Sequence, residues 1–193
     1  MSELERAALL VVDLQNDFCP GGSLAVTGAD HIIPVINRLL KFFGSRELPI
    51  FLTRDWHPAK HCSFIEQGGS WPPHSIRGTK GAKFPEELEL PVKFEIVSKA
   101  VEQQKDAYSA FQDTGLKDLL REKGVQTLYV CGLATDVCVK DSVIDALKEG
   151  FSVYVISDAV QGVNLSPDDS RLALEAMSSA GAELICSSYI LSL

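Results

Sequence analysis

Cys138 stands in "YVCGLATDVCV", residues 129–139, seven positions after Cys131, with a glycine and a Thr-Asp pair between the two sulfurs. That spacing does not suit a CxxC redox or metal pair. Cys131 falls inside an apolar, strand-like run, where a thiol behaves as a small inert hydrophobe. Cys138 follows "GLATD", at or just after the start of a helix predicted over "DVCVKDSVIDALKEG". Thr135 or Asp136 can cap that helix. Backbone N–H groups and the dipole at this end stabilise a thiolate, lower its pKa and can receive an oxyanion. Cys138 is therefore the candidate nucleophile, weighed against a buried structural cysteine.

An acid and an amine accompany it. Asp13, in "VVDLQNDF", ends a buried strand, where an unpaired carboxylate is costly; the plainer alternative is a cap or turn acid. Lys99, in "EIVSKA", ends another apolar strand; the plainer alternative is a lysine snorkelling to the surface. If both reach Cys138, Lys99 holds the carboxylate and thiolate by charge, and Asp13 moves the thiol proton to a leaving group. That chemistry is hydrolysis through a thioester with no histidine as base. Asp158, at a comparable strand end, reads as a structural acid capping the segment after "SDAV".

A second group points to a metal. "DWH" puts Asp55 and His57 on the same side of an extended segment, His61 follows in "HPAKHCSF" and His74 in "SWPPH". One carboxylate with two or three imidazoles, waters completing the shell, suits Zn, Fe or Mn. Cys62 is an alternative soft ligand, and His31 reads as solvated.

These residues need a scaffold. Apolar runs at 7–14, 49–55, 94–100, 126–133, 152–160 and 182–189 alternate with helical patterns near 30–44, 112–123, 136–149 and 167–180. Near-continuous hydrophobic strands suit a parallel sheet buried on both faces. The fold expected is α/β: a single doubly wound, mostly parallel sheet of about six strands, with helices on both faces. In such sheets ligands collect at the carboxyl ends of the strands, where Asp13, Asp55, Lys99 and Cys138 all fall. Residues 56–93 break the rhythm, with five of the nine prolines, both tryptophans and three of the four histidines. A long irregular stretch inside a compact domain is usually functional, so it reads as a folded lid and metal-binding loop.

Length and composition bound the rest. The 193 residues suit one domain, 46% hydrophobic and 23% charged, with a net charge of -8. That charge argues against nucleic acid or an anionic membrane as a partner. The run "AALLVV" is too short to span a bilayer, follows an acidic "MSELER" and does not read as a signal peptide. Five cysteines without framework spacing favour a reduced, cytoplasmic setting. A monomer and a homo-oligomer both remain open.

Together "LLVVDLQNDFCPGGSLAV", "TRDWHPAKHCSF", "SWPPHSIRGTKGAKF", "SKAVEQQKDAYSAF" and "VCGLATDVCVKDSVIDAL" resemble the nicotinamidases, or pyrazinamidases, of the isochorismatase-like hydrolases. The resemblance runs in order over roughly residues 8 to 160. It implies a catalytic trio of Asp13, Lys99 and Cys138. It implies metal ligands Asp55, His57 and His74, with His61 a ligand or its neighbour, and one divalent ion, zinc first. It implies a cis peptide at Leu133–Ala134, an oxyanion hole from the N–H groups of Ala134 and Cys138, and an aromatic pocket of Phe18, Trp71 and Tyr108 walled by Leu24 and Val137. The implied reaction takes nicotinamide and water to nicotinate and ammonia, in NAD salvage. The metal cluster separates this reading from relatives that act on a vinyl ether, a carbamoyl amide or a ureido acid. The complete trio separates it from a non-catalytic binding module on the same scaffold.

Overall fold

The structure is a computed structural model that describes residues 4–193; the first three residues of the acidic opening segment lie outside the described residues. Strand β1 (Ala7–Val12) is followed by helix α1 (Ile33–Ser45), β2 (Ile50–Asp55), β3 (Glu95–Lys99), α2 (Leu116–Glu122), β4 (Thr127–Leu133), α3 (Lys140–Lys148), β5 (Ser152–Gln161), α4 (Asp169–Ser179), β6 (Glu183–Ile185) and α5 (Ser187–Ile190). All strand pairs are parallel, and the order across the sheet is β3-β2-β1-β4-β5-β6. The chain runs outward from β1 to β3, then returns to place β4 on the other side of β1. A crevice therefore opens beyond the carboxyl ends of β1 and β4, the switch point at which ligands bind in such sheets.

Both faces of the sheet are covered, as the unbroken apolar runs require. In β1, Ala7, Leu9 and Val11 pack with Ile36, Leu39 and Phe43 of α1, while Ala8, Leu10 and Val12 pack with Leu120 of α2, Val143 of α3 and Met177 of α4. All six β1 residues are buried, and each buried aliphatic side chain of this kind contributes about 1.5–3 kcal/mol. Gly124, Gly150 and Gly181 end α2, α3 and α4 with φ of +68°, +87° and +113°. Gly132 is held for a different reason: a Cβ there would lie 2.1 Å from the Val12 carbonyl oxygen, so only glycine lets β4 approach β1 beside the crevice.

Two expected elements differ. The run 182–189 is strand only over Glu183–Ile185; Ser187 then opens α5, which a short apolar run does not distinguish from more strand. The helix expected over 136–149 begins as one wide π turn, Thr135–Val139, with the Val139 N–H donating to the Ala134 carbonyl at 3.0 Å, before α3 proper. Such turns recur at functional sites.

Candidate active site and metal centre

Asp13 follows the last residue of β1, with φ of +45°, a left-handed conformation uncommon outside glycine. It is fixed from both ends by Thr53 of β2, whose hydroxyl donates to Asp13 Oδ1 at 2.7 Å and accepts from the Asp13 N–H at 3.1 Å. Lys99, the last residue of β3, is buried and does not snorkel. Its ammonium lies 2.9 Å from Asp13 Oδ2 and 2.5 Å from Asp55 Oδ1. It also donates to the Ala107 carbonyl at 3.1 Å and to Cys138 Sγ at 3.5 Å. Asp13, Asp55 and Cys138 each present an atom within 4.8 Å of the other two, and the lysine cation is the charge they share.

Burial works against the Lys99 ammonium, but Asp13 and then Asp55 overrule it and hold its pKa well above the ordinary value. Burial pushes the Asp13 carboxyl up, with Lys99 opposing. Cys138 departs from the sequence expectation: its thiol is pushed well up, not down. Loss of water is the largest cause, and it outweighs the neighbouring Lys99; the nearby Asp13 and Asp55 carboxylates add to the rise. Burial thus favours the neutral thiol over the thiolate. Cys131 is fully buried in β4, and burial pushes its thiol up as well.

The helix caps expected from Thr135 and Asp136 are not made: no side chain caps this turn. Asp136 instead turns its carboxylate to the β5–α4 connection, accepting from the N–H groups of Val163 at 2.9 Å and Asn164 at 2.7 Å. Asp158 is structural, with its partner 29 residues on: it accepts from the Ser187 N–H and hydroxyl, both at 2.6 Å, and so fixes α5.

Asp55 Oδ2 faces two imidazoles. His57 Nε2 is 3.8 Å and His74 Nε2 4.0 Å away. Two metal–ligand bonds of about 2.1 Å can span roughly 4.2 Å, so one ion can reach all three atoms. The other ring nitrogens meet backbone carbonyls, His57 Nδ1 that of Ala100 at 3.3 Å and His74 Nδ1 that of Pro72 at 2.8 Å. This sets both lone pairs on Nε2, the orientation metal-binding histidines adopt. His57 Nε2 is buried with no hydrogen-bond partner, and burial, His74 and His61 push the His57 pKa down to about 3. A buried, neutral, unpartnered nitrogen beside a carboxylate fits a divalent ion. His61 does not join: Ser63 Oγ lies 2.7 Å from its Nδ1 and the Lys105 carbonyl 2.9 Å from its Nε2. It stacks on His57 with ring centroids 4.2 Å apart, a neighbour of the ligands rather than a ligand. Cys62 is outside the group as well, and His31 is exposed.

The expected pocket residues Phe18, Leu24, Trp71, Tyr108 and Val137 all line one cleft with Asp13, Asp55, Cys138, His57 and His74. Its empty volume is about 500 Å³, mouth included. Trp71 Nε1 donates to the Tyr108 hydroxyl at 3.0 Å, tying two of the aromatic walls together. Asp106 and Val163 also line the cleft, and no spacing signal singles them out. The peptide between Leu133 and Ala134 is cis.

The residues that fasten the loop fall in "VVDLQNDF", and neither their spacing nor the resemblance assigns them this role. Gln15 donates to the carbonyls of Asp55 at 2.9 Å and Ala82 at 3.0 Å and accepts from the Asp55 N–H at 2.7 Å. Asn16 donates to the Lys80 carbonyl at 2.9 Å, and Asp17 accepts from the Ser75 N–H at 2.7 Å. The residues just past β1 thus fasten the 75–82 stretch of the loop to the end of that strand.

The isochorismatase domain model matches residues 7–188 of this chain. The chain belongs to the isochorismatase family. Within this family it is 42% identical to a nicotinamidase of Escherichia coli (strain K12), over 92% of this chain and 93% of the relative. A solved pyrazinamidase of Pyrococcus horikoshii in complex with zinc superposes with a TM-score of 0.90 at 46% identity, covering 94% of this chain and 99% of that one. A solved structure of PnC1 from L. infantum in complex with nicotinate gives a TM-score of 0.88 at 35% identity, covering 97% of this chain and 96% of that one.

Proposed function

We propose that this chain is a nicotinamidase, a metal-dependent cysteine amidohydrolase that converts nicotinamide and water to nicotinate and ammonia and also hydrolyses pyrazinamide. The observation that carries the reading is the Lys99 ammonium, set between Asp13 and Cys138 at the switch point of the sheet. As Cys138 Sγ attacks the carboxamide carbon, Asp13 takes the thiol proton and Lys99 balances the charge. The N–H groups of Ala134 and Cys138 receive the oxyanion. Collapse of the tetrahedral adduct breaks the C–N bond, and the proton on Asp13 leaves with ammonia. Water, deprotonated by Asp13, then cleaves the thioester; Asp13 returns that proton to the departing sulfur, restoring the Cys138 thiol, and the carboxylic acid product releases its own proton to solvent as nicotinate. Asp55, His57 and His74 would hold a divalent ion, which would supply an electrophilic centre to orient the heteroaromatic ring. Phe18, Trp71 and Tyr108 stack on the flat ring, with Leu24 and Val137 as apolar walls.

The 193 residues act as one hydrolase domain, with residues 56–93 as its lid and metal loop. Among the described residues no helix is long and apolar enough to cross a membrane, and all five cysteines are unpaired, which supports a cytoplasmic enzyme with a small-molecule substrate. A coupled ammonia assay over nicotinamide, pyrazinamide, a ureido acid and an aliphatic amide tests the reading. Turnover of the two aromatic amides is expected; turnover of the ureido acid alone would replace it with the carbamoyl-type alternative.

A further inference from the structure

Three carboxylates line the cleft, those of Asp13, Asp55 and Asp106, and no lysine or arginine does. The first two share the Lys99 cation. Asp106 does not: it is half-buried, its carboxylate accepts from the Ala107 N–H at 2.9 Å, and no basic side chain pairs with it among the described residues. The adjacent Lys105 ammonium is paired with Glu102 at 3.0 Å. Asp106 also lies one residue from the carbonyl that touches the Lys99 ammonium and two from Tyr108, whose hydroxyl feels its negative charge. An unneutralised negative charge is thus fixed in the wall of a narrow apolar cleft, where charge interactions are screened less than at an open surface.

We propose that Asp106 sets the charge specificity of this cleft. It admits neutral heteroaromatic carboxamides, disfavours amides that carry a carboxylate, and weakens the hold on the carboxylate product. The inference rests on the amidohydrolase reading above and deepens it. With a divalent ion bound, Asp13, Asp55 and Lys99 leave the inner site carrying one net positive charge, an environment that by itself would retain an anion. Asp106 cancels that charge at the wall. A neutral amide entering is indifferent to it, whereas the anion left after hydrolysis meets repulsion on the way out. The same charge separates this cleft from one built for ureido or carbamoyl acids, which need a cation to receive their carboxylate.

The test compares Asp106→Asn and Asp106→Ala with the unaltered metal-loaded protein. Asparagine keeps an oxygen to accept from the Ala107 N–H but removes the charge; alanine removes both. Nicotinate binding is measured by calorimetry at low and high salt, and nicotinamide kcat and KM by ammonia release. Both variants should bind nicotinate about five- to tenfold more tightly at low salt, with the gain shrinking in high salt. Asp106→Asn should change the nicotinamide KM by less than about twofold, since a neutral ligand has no net charge to sense. Equal nicotinate affinity in Asp106→Asn and the unaltered protein, with only Asp106→Ala disturbed, would overturn the proposal and leave Asp106 as a mere backbone support at Ala107. Absence of nicotinamide turnover in the unaltered protein would instead remove the amidohydrolase reading, while the calorimetric contrast still decides the role of Asp106.

Discussion

Asp55 and Lys99 are register partners across β2 and β3, and their side chains close on each other at 2.5 Å beyond the ends of both strands. The aspartate gives one oxygen to this lysine and turns the other to the two histidines, so a single carboxylate joins His57 and His74 to the cation beside Cys138. Asp55→Ala should therefore fail twice, losing metal and leaving a buried ammonium short of a partner, at a cost of about 3 kcal/mol or more. His74→Ala removes a ligand but leaves Lys99 fully paired, and should cost roughly 1–2 kcal/mol. Denaturant unfolding with metal analysis of both variants reads the difference; equal stability losses would separate the two sites.

Cys131, inside β4, and Cys138, in the cleft wall, should respond differently. Cys138→Ala should lower ammonia release at least about a thousandfold while folding normally, because the attacking atom is gone. Cys131→Ala should keep most activity and lose about 1 kcal/mol of stability from the small void in β4. Rate assays paired with thermal unfolding distinguish them, and matching activity losses would defeat the nucleophile assignment.

The acid limb of the pH profile should belong to Asp13. Its carboxyl must be ionised to accept the thiol proton, and burial raises its pKa. Activity should be lost at low pH and appear as pH rises through a value above the ordinary carboxylate range. Stability carries the opposite sign. Between the ordinary pKa and the raised one the folded protein holds a proton that the unfolded chain has released, so the contribution of Asp13 to stability falls as pH rises through that interval. Asp13→Asn should remove this fall along with activity, checked by kcat/KM and unfolding free energy over the acid range.

Metal removal should weaken both function and fold. The buried Nε2 atom of His57 beside Asp55 is left without a partner on chelation. At a free ion concentration about a hundred times Kd, binding stabilises by roughly 2.7 kcal/mol, so chelation should lower Tm and zinc should restore it. Inductively coupled plasma analysis should find one ion per chain. Full activity in metal-free protein would end the proposed role of the ion as ring anchor.

Much of the scaffold is legible in the sequence because it depends on local pattern. β1 reads as a doubly buried strand from its uninterrupted aliphatic run, and Asp13, Asp55 and Lys99 stand out because a charge at the end of such a run lies at the ligand-binding rim. The tie between Asp55 and Lys99 is not legible, since strand order and register are tertiary facts. Gln15 is silent for the same reason: a glutamine gives no sign that its amide will satisfy three backbone groups across 40 and 67 residues. The Cys138 thiol shifts against its sequence expectation because helix position is local whereas burial is not. α5 reads as strand because Asp158, which fastens its first residue, is 29 positions upstream. The aromatic pocket comes from resemblance and not from periodicity.

Gln15, Asn16 and Asp17 come two to four residues after Asp13 and grip the loop that carries His74. Asp13 and the loop that carries His74 are thereby moored at one place, and neither can be transplanted alone. A graft of residues 56–93 onto a related scaffold would have to bring residues 13–17 along as its matching clasp. Insertions are better tolerated before the loop reaches Ser75 than between Ser75 and Ala82, where every added residue would pull the mooring out of alignment.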